Sequence, residues 1–321
     1  MFGASDLKST IKVTEISVEC PVKNCKTIVP RQRGTFQRAK DFFCPTHDIY
    51  ISPSTFEYSA YTDNLLWKDE EDLDLLRRIA SVKRESRIAR DNSEDALTWN
   101  VFRFLEKENL LSNYLSTFSN IEENNLEVMY WSYSQSELNA WSKLVQARQE
   151  FECNPAKGSE PDIIIKSDKT LFVIEAKFNA SNNTLPSSKD PLVKEKYVNR
   201  GFGWYQNVFK TDFEALAVNY EKYELLRFWL LGSWMAHYQN LKFILINLVP
   251  SDREKDIETQ FKKHIEKDGN RTFLRNTWEG IYNFIKETTV ANTQKRLFLE
   301  YFRNKTLGYD HDGKLQRAFS M

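Results

Sequence analysis

The chain has 321 residues, of which 41% are hydrophobic and 14% aromatic, so it contains enough apolar material for a substantial core. Lysine plus arginine and aspartate plus glutamate number 45 each, and this balance gives no global attraction to nucleic acid or to membranes. The 10 glycines and 9 prolines are too few for fibrous or low-complexity classes, and neither an apolar run of 18 residues nor a signal-peptide pattern is present. These properties predict a folded cytoplasmic protein without a membrane partner.

The first part of the chain, residues 1–60, is predicted to form a small module that binds zinc. It contains Cys20, Cys25, Cys44 and His47 in the spacing C-x4-C-x18-C-x2-H. Two short ligand pairs separated by a spacer of this length suit one tetrahedral zinc ion, since each short spacing lets two ligands reach the same metal. The alternative is that the cysteines are small core residues. A closed four-ligand site has no open position, so the predicted zinc is structural.

Two basic runs stand out against the neutral overall charge. The segment RQRGTFQRAK at 31–40 carries four cations and no acid, and RRIASVKRESRIAR at 77–90 carries six cations and one acid. Such runs bind nucleic-acid phosphates or lie on an ordinary solvated face, and the sequence leaves both interpretations open. If the zinc module faces a duplex, the predicted contact residues are Arg31, Arg33, Arg38 and Lys40.

The segment that follows the zinc module reads as helical. Residues 61–90 are predicted as a charged helical connector, which includes LDLLRRIASVKRESRIARD. A second helix is predicted from the N-cap Ser93, because apolar residues then recur at i, i+3 and i+4 behind first-turn acids.

Residues 91–252 are predicted to form the main domain, with a possible insertion at 112–157. Strands are expected at LEVMYWSY and at EFEC, and a helix at SELNAWSKLVQARQ between them. A long helix is predicted across residues 213–238, followed by the buried strand LKFILINLVP. Residues 253–321 are predicted to be a mostly helical extension.

The stretch GSEPDIIIKSDKTLFVIEAK at 158–177 reads as a buried hairpin that places charges where burial is costly. Asp162 begins its first apolar run, and Glu175 and Lys177 end the second. Because side chains two residues apart share a face of a strand, Glu175 and Lys177 point the same way, and Asp162 can converge with them. Two converging carboxylates suit Mg²⁺, and a lysine beside them can orient water or neutralise a phosphate.

Pro161-Asp162 followed by Glu175-Ala176-Lys177 resembles the signature of the PD-(D/E)xK nuclease superfamily, over roughly residues 90–250. The resemblance implies an α-β-β-β-α-β core, which is an α/β (α+β) fold with a mixed central sheet flanked by helices. It also implies catalytic roles for the three charged residues.

Many members of this superfamily carry a further glutamate on the first core helix, and Glu94 holds the matching position. The resemblance therefore implies a Mg²⁺ (or Mn²⁺) shell of Asp162, Glu175, Ala176 and Glu94. The gap from Glu94 to Asp162 is long for the superfamily, which fits an insertion at 112–157. If the helix is shifted in register, Glu106 or Glu108 competes with Glu94. Glu160, just before Pro161, could also turn toward the metal.

The function predicted from these features is metal-dependent hydrolysis of phosphodiester bonds in DNA by an endonuclease of restriction, defence or repair type. The residues do not separate DNA from RNA. One active site per chain would make a homodimer natural for cutting both strands. The alternative is a nucleic-acid-binding or assembly protein that uses a nuclease-like fold without cleavage.

Overall fold

A computed structural model describes residues 1–83, 85–152, 158–188, 190, 192–289 and 292–320. The chain forms two compact units, each built from separate segments of sequence. We call residues 1–69, 86–108 and 279–321 the cysteine unit, and residues 70–85 and 109–278 the sheet unit. The predicted domain boundaries, by contrast, follow one another along the chain.

The described residues form the following elements in chain order. The strands are β1 (Ser17–Glu19), β2 (Ile28–Pro30), β3 (Phe43–Cys44), β4 (Ile49–Ile51), β5 (Phe56–Tyr58), β6 (Glu127–Tyr130), β7 (Tyr133–Ser134), β8 (Asn139–Ala140), β9 (Ile163–Lys166), β10 (Thr170–Ala176), β11 (Lys242–Val249), β12 (Arg271–Thr277), β13 (Thr306–Tyr309) and β14 (Leu315–Arg317). The helices are α1 (Glu70–Ala80), α2 (Glu94–Lys107), α3 (Leu111–Ser119), α4 (Ser142–Phe151), α5 (Val193–Asn199), α6 (Trp204–Val208), α7 (Tyr223–His237), α8 (Ile257–Lys262), α9 (Trp278–Glu287) and α10 (Thr293–Asn304). None of these helices has the length and apolar character needed to cross a bilayer.

The sheet unit is built around a seven-stranded mixed sheet in the order β12-β11-β10-β9-β6-β7-β8. The predicted hairpin is present as the antiparallel pair β9 and β10, with Ile163 opposite Ile174. Strand β11 lies parallel to β10 on its other side and pairs Asn247 with Glu175. The mixed sheet and its flanking helices confirm the predicted α/β class.

The hydrophobic core of the sheet unit explains why these strands are continuous apolar runs. Every residue of β10 is buried, so its side chains on both faces of the sheet are shielded from solvent. Helix α7 packs on the sheet at β10 and β11, and α4 packs against α7. A strand that is buried on both faces loses the alternating pattern of a half-exposed strand. The core includes Ile164, Val173, Trp229 and Leu245, each at most 1% exposed.

The cysteine unit contains a three-stranded antiparallel sheet, β3-β4-β5, and the antiparallel pairs β1-β2 and β13-β14. Its core combines Val18, Ile49 and the three cysteines with Tyr309, which comes from the end of the chain. The Tyr309 hydroxyl donates a hydrogen bond to the Lys8 carbonyl at 2.9 Å. The C-terminal hairpin thus packs into the same core as the cysteine-rich segment.

The helix predicted over LDLLRRIASVKRESRIARD is shorter than expected. Helix α1 ends at Ala80, and a turn follows in which the Val82 amide donates to the Ile79 carbonyl. The buried apolar residues of α1 are Leu75, Leu76 and Ile79, so its buried face ends one residue before the helix does. A continued helix would also place like charges four residues apart, as at Lys83 and Arg87, and such pairs are unfavourable.

The strand predicted at EFEC is wrong. Residues 150 and 151 are the last turn of α4, and the Glu152 amide caps it by donating to the Arg148 carbonyl. Cys153 lies outside the described residues. The helix α4 begins only at Ser142, later than predicted, because Asn139 and Ala140 pair with β7.

The helix predicted over residues 213–238 is divided into two parts. A π-helical turn occupies Ala215–Asn219, Glu221 adopts a left-handed conformation with φ 54°, and α7 begins at Tyr223. Thr184 fixes the new helix start, because its hydroxyl accepts the Glu224 amide at 2.8 Å and its own amide donates to the Glu221 carbonyl.

The C-terminal extension contains a strand that the sequence did not predict. Strand β12 adds to the edge of the sheet, parallel to β11. It is only partly buried apart from Phe273, and its sequence RTFLRNT is largely polar. A polar edge strand gives little hydrophobic signal, which explains the wrong expectation of helix.

The predicted start of α2 is confirmed, and its cap gives a stability prediction. The Ser93 hydroxyl accepts the Ala96 amide at 3.1 Å, and Ser93 is 3% exposed. We expect Ser93→Ala to lower the free energy of unfolding by about 1 kcal/mol, because one buried amide loses its acceptor. Urea unfolding measures this, with Ser93→Asp as the variant that retains a cap. Equal stability of the alanine variant and the wild type would contradict the capping role.

Candidate active site and metal centre

The hairpin brings the three charged residues of the sequence motif to one end of the central sheet. Asp162 immediately precedes β9, Glu175 is the penultimate residue of β10, and Lys177 directly follows it. The three side chains belong to residues that are only 9%, 3% and 7% exposed. Lys177 is fixed by its backbone, since its amide donates to Leu248 on β11 and its carbonyl accepts the Trp278 indole.

Both carboxylate oxygens of Asp162 accept hydrogen bonds. One accepts the Trp131 indole N–H at 3.2 Å, and the other accepts the Ala176 amide at 2.8 Å. The second bond joins the two strands at the level of the motif, so it fixes Asp162 beside Glu175. Trp131 was not identified from the sequence, because nothing local marks an indole that donates to a residue 31 positions away.

The ammonium group of Lys177 lies between two carboxylates. It forms a short ion pair with Glu175 and contacts Glu224 on α7 at 2.8 Å. Glu224 was also not identified from the sequence. A signal was present, since it is the first-turn acid of α7, where a helix favours negative charge.

Burial and neighbouring charges shift the pKa values of Glu175 and Glu224 in opposite directions. Burial raises the pKa of Glu175 well above its ordinary value, although Lys177 works against it, and the charges of Glu224 and Asp162 raise it further. Burial also acts to raise the pKa of Glu224, but Lys177 and Arg227 outweigh it and hold this pKa below its usual value. The site therefore favours the ionised form of Glu224 and penalises the charge of Glu175.

A second set of polar groups continues from Glu224 along α7. The Arg227 guanidinium lies 3.8 Å from Glu224 and over the ring of Tyr223 at 4.7 Å. Burial acts against its charge, but the neighbouring Tyr197 and Tyr223 and the acids Glu152 and Glu224 raise the pKa of Arg227 above its ordinary value. The Tyr197 hydroxyl donates to Glu152 at 2.7 Å. Arg227 thus extends the charged network by one helical turn.

The Glu224 contact gives a second stability prediction. We expect Glu224→Gln to lower the free energy of unfolding by roughly 1.5–3 kcal/mol, because it removes a charged acceptor from the buried Lys177. Chemical denaturation measures the change. Glu195→Gln, at an exposed position on α5, is the control. Loss of the same stability in both variants would show that the Lys177 contact is not the cause.

Glu94 and two of its competitors, Glu106 and Glu108, belong to α2 and its C-terminal cap. Glu94 occupies the first turn of α2 in the cysteine unit, whereas Asp162, Glu175 and Lys177 belong to the sheet unit. Among the competitors, Glu106 pairs with Arg103 at 2.9 Å, and Glu108 accepts from Asn292. The role of Glu94 stays a prediction.

The four predicted zinc ligands come together in the cysteine unit, and their ligand atoms lie within 4.8 Å of one another. The Cys25 and Cys44 sulfurs are 3.7 Å apart, and His47 Nδ1 lies 3.5 Å from Cys44 and 3.7 Å from Cys20. A tetrahedral zinc ion with ordinary bond lengths would separate two sulfurs by roughly 3.8 Å and sulfur from nitrogen by roughly 3.6 Å. The cluster could therefore hold a metal ion such as zinc.

The chemistry of this cluster also fits a metal better than a disulfide. The three cysteines are free and buried, and a disulfide would require sulfurs at about 2.05 Å. Burial raises the pKa of the Cys20 thiol, so this sulfur needs a cation beside it to ionise. A second group of ligand-type side chains, Asp310, His311 and Asp312, is only partly buried or exposed.

The structure does not gather a comparable set of ligands at the hairpin. Among the described residues, neither Asp162 nor Glu175 belongs to a group of three acid, histidine or cysteine side chains within 4.8 Å. Their oxygens contact Trp131, Ala176 and Lys177 instead. A magnesium site therefore stays a prediction.

Three of the four basic residues predicted to contact nucleic acid donate hydrogen bonds to backbone carbonyls of the cysteine unit. Arg31 and Arg33 donate to the carbonyls of Thr14 and Glu15, and Arg38 donates to Ser59 at 2.6 Å. Arg33, Arg38 and Lys40 are nevertheless exposed. These guanidinium contacts fix the loop that follows β2.

A cavity of about 510 Å³ lies at the opposite end of the strands from Glu175. Lys169 and Lys242 at the starts of β10 and β11 line it, together with Trp204, His237 and Arg271. Its position separates it from the motif residues.

No known protein family, curated protein or solved structure matches this chain.

Proposed function

We propose that the protein is a metal-dependent nuclease that hydrolyses phosphodiester bonds in DNA, with its active site at the end of the β9-β10 hairpin. The observation that carries this proposal is the convergence of Asp162, Glu175 and Lys177, almost wholly buried, at one end of two adjacent strands. Burying three charges is costly, and an ordinary surface salt bridge requires no such burial. A site that must hold a cation and a phosphate offers a reason for that cost.

The side chains have distinct roles in this proposal. Asp162 and Glu175, together with the Ala176 carbonyl, would hold Mg²⁺ or Mn²⁺. Mg²⁺ keeps several waters and is commonly held by one or two carboxylates, so a closed cage of protein ligands is not needed. The ion would polarise the phosphate and acidify a bound water.

Lys177 would act on the phosphate or on the attacking water. Its ammonium is held by Glu175 and Glu224. A fixed positive charge in a buried site stabilises negative charge developing on a phosphate oxygen. Glu224 acts through Lys177 in this scheme and is a positioning residue.

The cysteine unit would supply support and positioning in the same proposal. Its Cys3His cluster would hold a structural zinc ion, since four protein ligands leave no open position for a substrate. The exposed Arg33, Arg38 and Lys40 would contact phosphates, which positions a duplex without reading its sequence. Cleavage of both strands would follow naturally from a homodimer.

A specific observation favours the rival function, a nucleic-acid-binding protein without cleavage. Both oxygens of Asp162 and the ammonium of Lys177 contact protein groups, and these contacts form an internal network. Incubating zinc-loaded protein with plasmid DNA, linear DNA or RNA, each with Mg²⁺, with Mn²⁺ or without added divalent metal, separates the two functions. We expect cleavage of DNA only when Mg²⁺ or Mn²⁺ is added. Binding without cleavage of any of these substrates would support the rival.

A further inference from the structure

An exposed aromatic residue occupies the loop between α5 and α6. Phe202 is 92% exposed and adopts a left-handed conformation with φ 55° and ψ 36°. Its neighbours Gly201 and Gly203 are also left-handed, with φ 66° and 75°. A bulky residue in this region is a genuine outlier, and exposing a phenyl ring gains nothing in folding. The loop therefore holds Phe202 outward against both its backbone preference and its hydrophobicity.

The loop is anchored to the last turn of α4. The Gly201 amide donates to Glu150 at 2.9 Å, and Gly201 packs so closely on Phe151 that a Cβ there would lie 2.3 Å from the ring. The next residue, Glu152, accepts the Ser159 amide at 2.7 Å, three positions before Asp162. One helical turn thus fixes both the base of the Phe202 loop and the segment that leads into the candidate active site.

The sequence neighbours of Phe202 favour nucleic acid over protein as its partner. From residue 194 to 207 the other exposed side chains are all polar, namely Lys194, Glu195, Asn199, Gln206 and Asn207, and the nearest exposed apolar residue before them is Leu192, ten positions from Phe202. A protein interface needs a contiguous apolar centre, which a single ring does not provide. A single rigid apolar side chain among polar groups is what wedge residues present when they insert between stacked bases.

We propose that Phe202 is a wedge that inserts between neighbouring bases of a DNA duplex and unstacks them. This inference rests on the proposed function for its partner, and it adds a contact that deforms the substrate. An inserted ring would fix the duplex relative to the α4 turn and therefore relative to Asp162. It would also favour flexible base steps, such as pyrimidine–purine steps, which unstack most easily.

The test uses the full-length, zinc-loaded protein without added Mg²⁺ or Mn²⁺, so that no cleavage occurs, and short duplexes that carry 2-aminopurine, whose fluorescence rises on unstacking. We expect the wild type to increase the fluorescence. Phe202→Ala should lose that increase and bind about tenfold more weakly, because a base–aromatic stack contributes on this scale. Phe202→Trp should restore both. Leu192→Ala, at another exposed apolar position, should behave as the wild type.

The wedge would be overturned by the absence of a fluorescence increase with the wild type, or by an increase that persists in Phe202→Ala. Loss of binding to lipid vesicles in Phe202→Ala, without any DNA signal, would overturn it too and assign the ring to a membrane. The test of the wedge and the test of the nuclease can fail independently. Unstacking by a protein that cleaves nothing supports the wedge and refutes the nuclease, whereas cleavage without unstacking does the reverse.

Discussion

Glu175→Gln is expected to lower metal-dependent DNA cleavage by roughly 10³-fold, because it removes one of the two carboxylates proposed to hold the ion, a contribution of several kcal/mol to the transition state. Glutamine keeps the shape of the side chain, so the fold should persist. Initial rates of plasmid cleavage in Mg²⁺ measure the change. Loss of activity together with loss of the folded state would not support a catalytic role.

The chain offers a matched control for this substitution. Glu123 is also fully buried in the sheet unit and accepts hydrogen bonds from Ser167 and Thr170, at the other end of the same hairpin. Glu123→Gln should cost stability and leave the cleavage rate of the folded protein unchanged. Equal losses of activity in both variants would contradict a special role for Glu175.

Glu175→Gln should also change how stability depends on pH in zinc-loaded protein without Mg²⁺ or Mn²⁺. Burial raises the pKa of Glu175, so above the ordinary glutamate pKa the unfolded chain ionises while the folded chain resists. Stability contributed by this group is therefore lost as pH rises from the ordinary to the raised pKa. The Gln variant lacks this loss, so its stability relative to the wild type should improve across that window. A constant difference would contradict the raised pKa.

Cys44→Ser is expected to abolish zinc binding and to unfold the cysteine unit, since a structural zinc ion contributes on the order of 10 kcal/mol to folding. Cys44 is wholly buried, and its sulfur lies beside both Cys25 and His47. Metal analysis of protein purified without added metal, combined with calorimetry, measures both effects. We expect about one zinc per chain in the wild type.

His311→Ala is the control for this substitution, because His311 belongs to the exposed second group. It should change neither zinc content nor stability. Less than about half an equivalent of zinc in the wild type would contradict a structural zinc site. A Cys44→Ser variant with the same thermal transition as the wild type would contradict it as well.

The parts of the fold that the sequence predicts are those with strong local signals. The apolar runs of β9, β10 and β11 mark strands whose residues are buried on both faces along almost their whole length. The start of α2 is marked by the Ser93 cap. The four-ligand spacing of the cysteines and His47 likewise predicts their convergence, which the structure confirms.

The parts that the sequence does not predict depend on contacts between distant residues. Thr184 caps α7 from 40 positions away, and this contact starts the helix at Tyr223 and places Glu224 against Lys177. Trp131 reaches Asp162 across β6 and β9 in the same way. Tyr309 closes the core of the cysteine unit from the end of the chain. Local periodicity contains no trace of such contacts.

Binding of Mn²⁺, followed by electron paramagnetic resonance on zinc-loaded protein, tests most directly whether the hairpin end is a metal centre, since it needs no knowledge of the nucleic-acid substrate. The wild type and Glu123→Gln should take up Mn²⁺, Mg²⁺ should displace it, and Asp162→Asn and Glu175→Gln should bind it far more weakly. Equal signals from free Mn²⁺ in all four proteins would contradict the proposed active site.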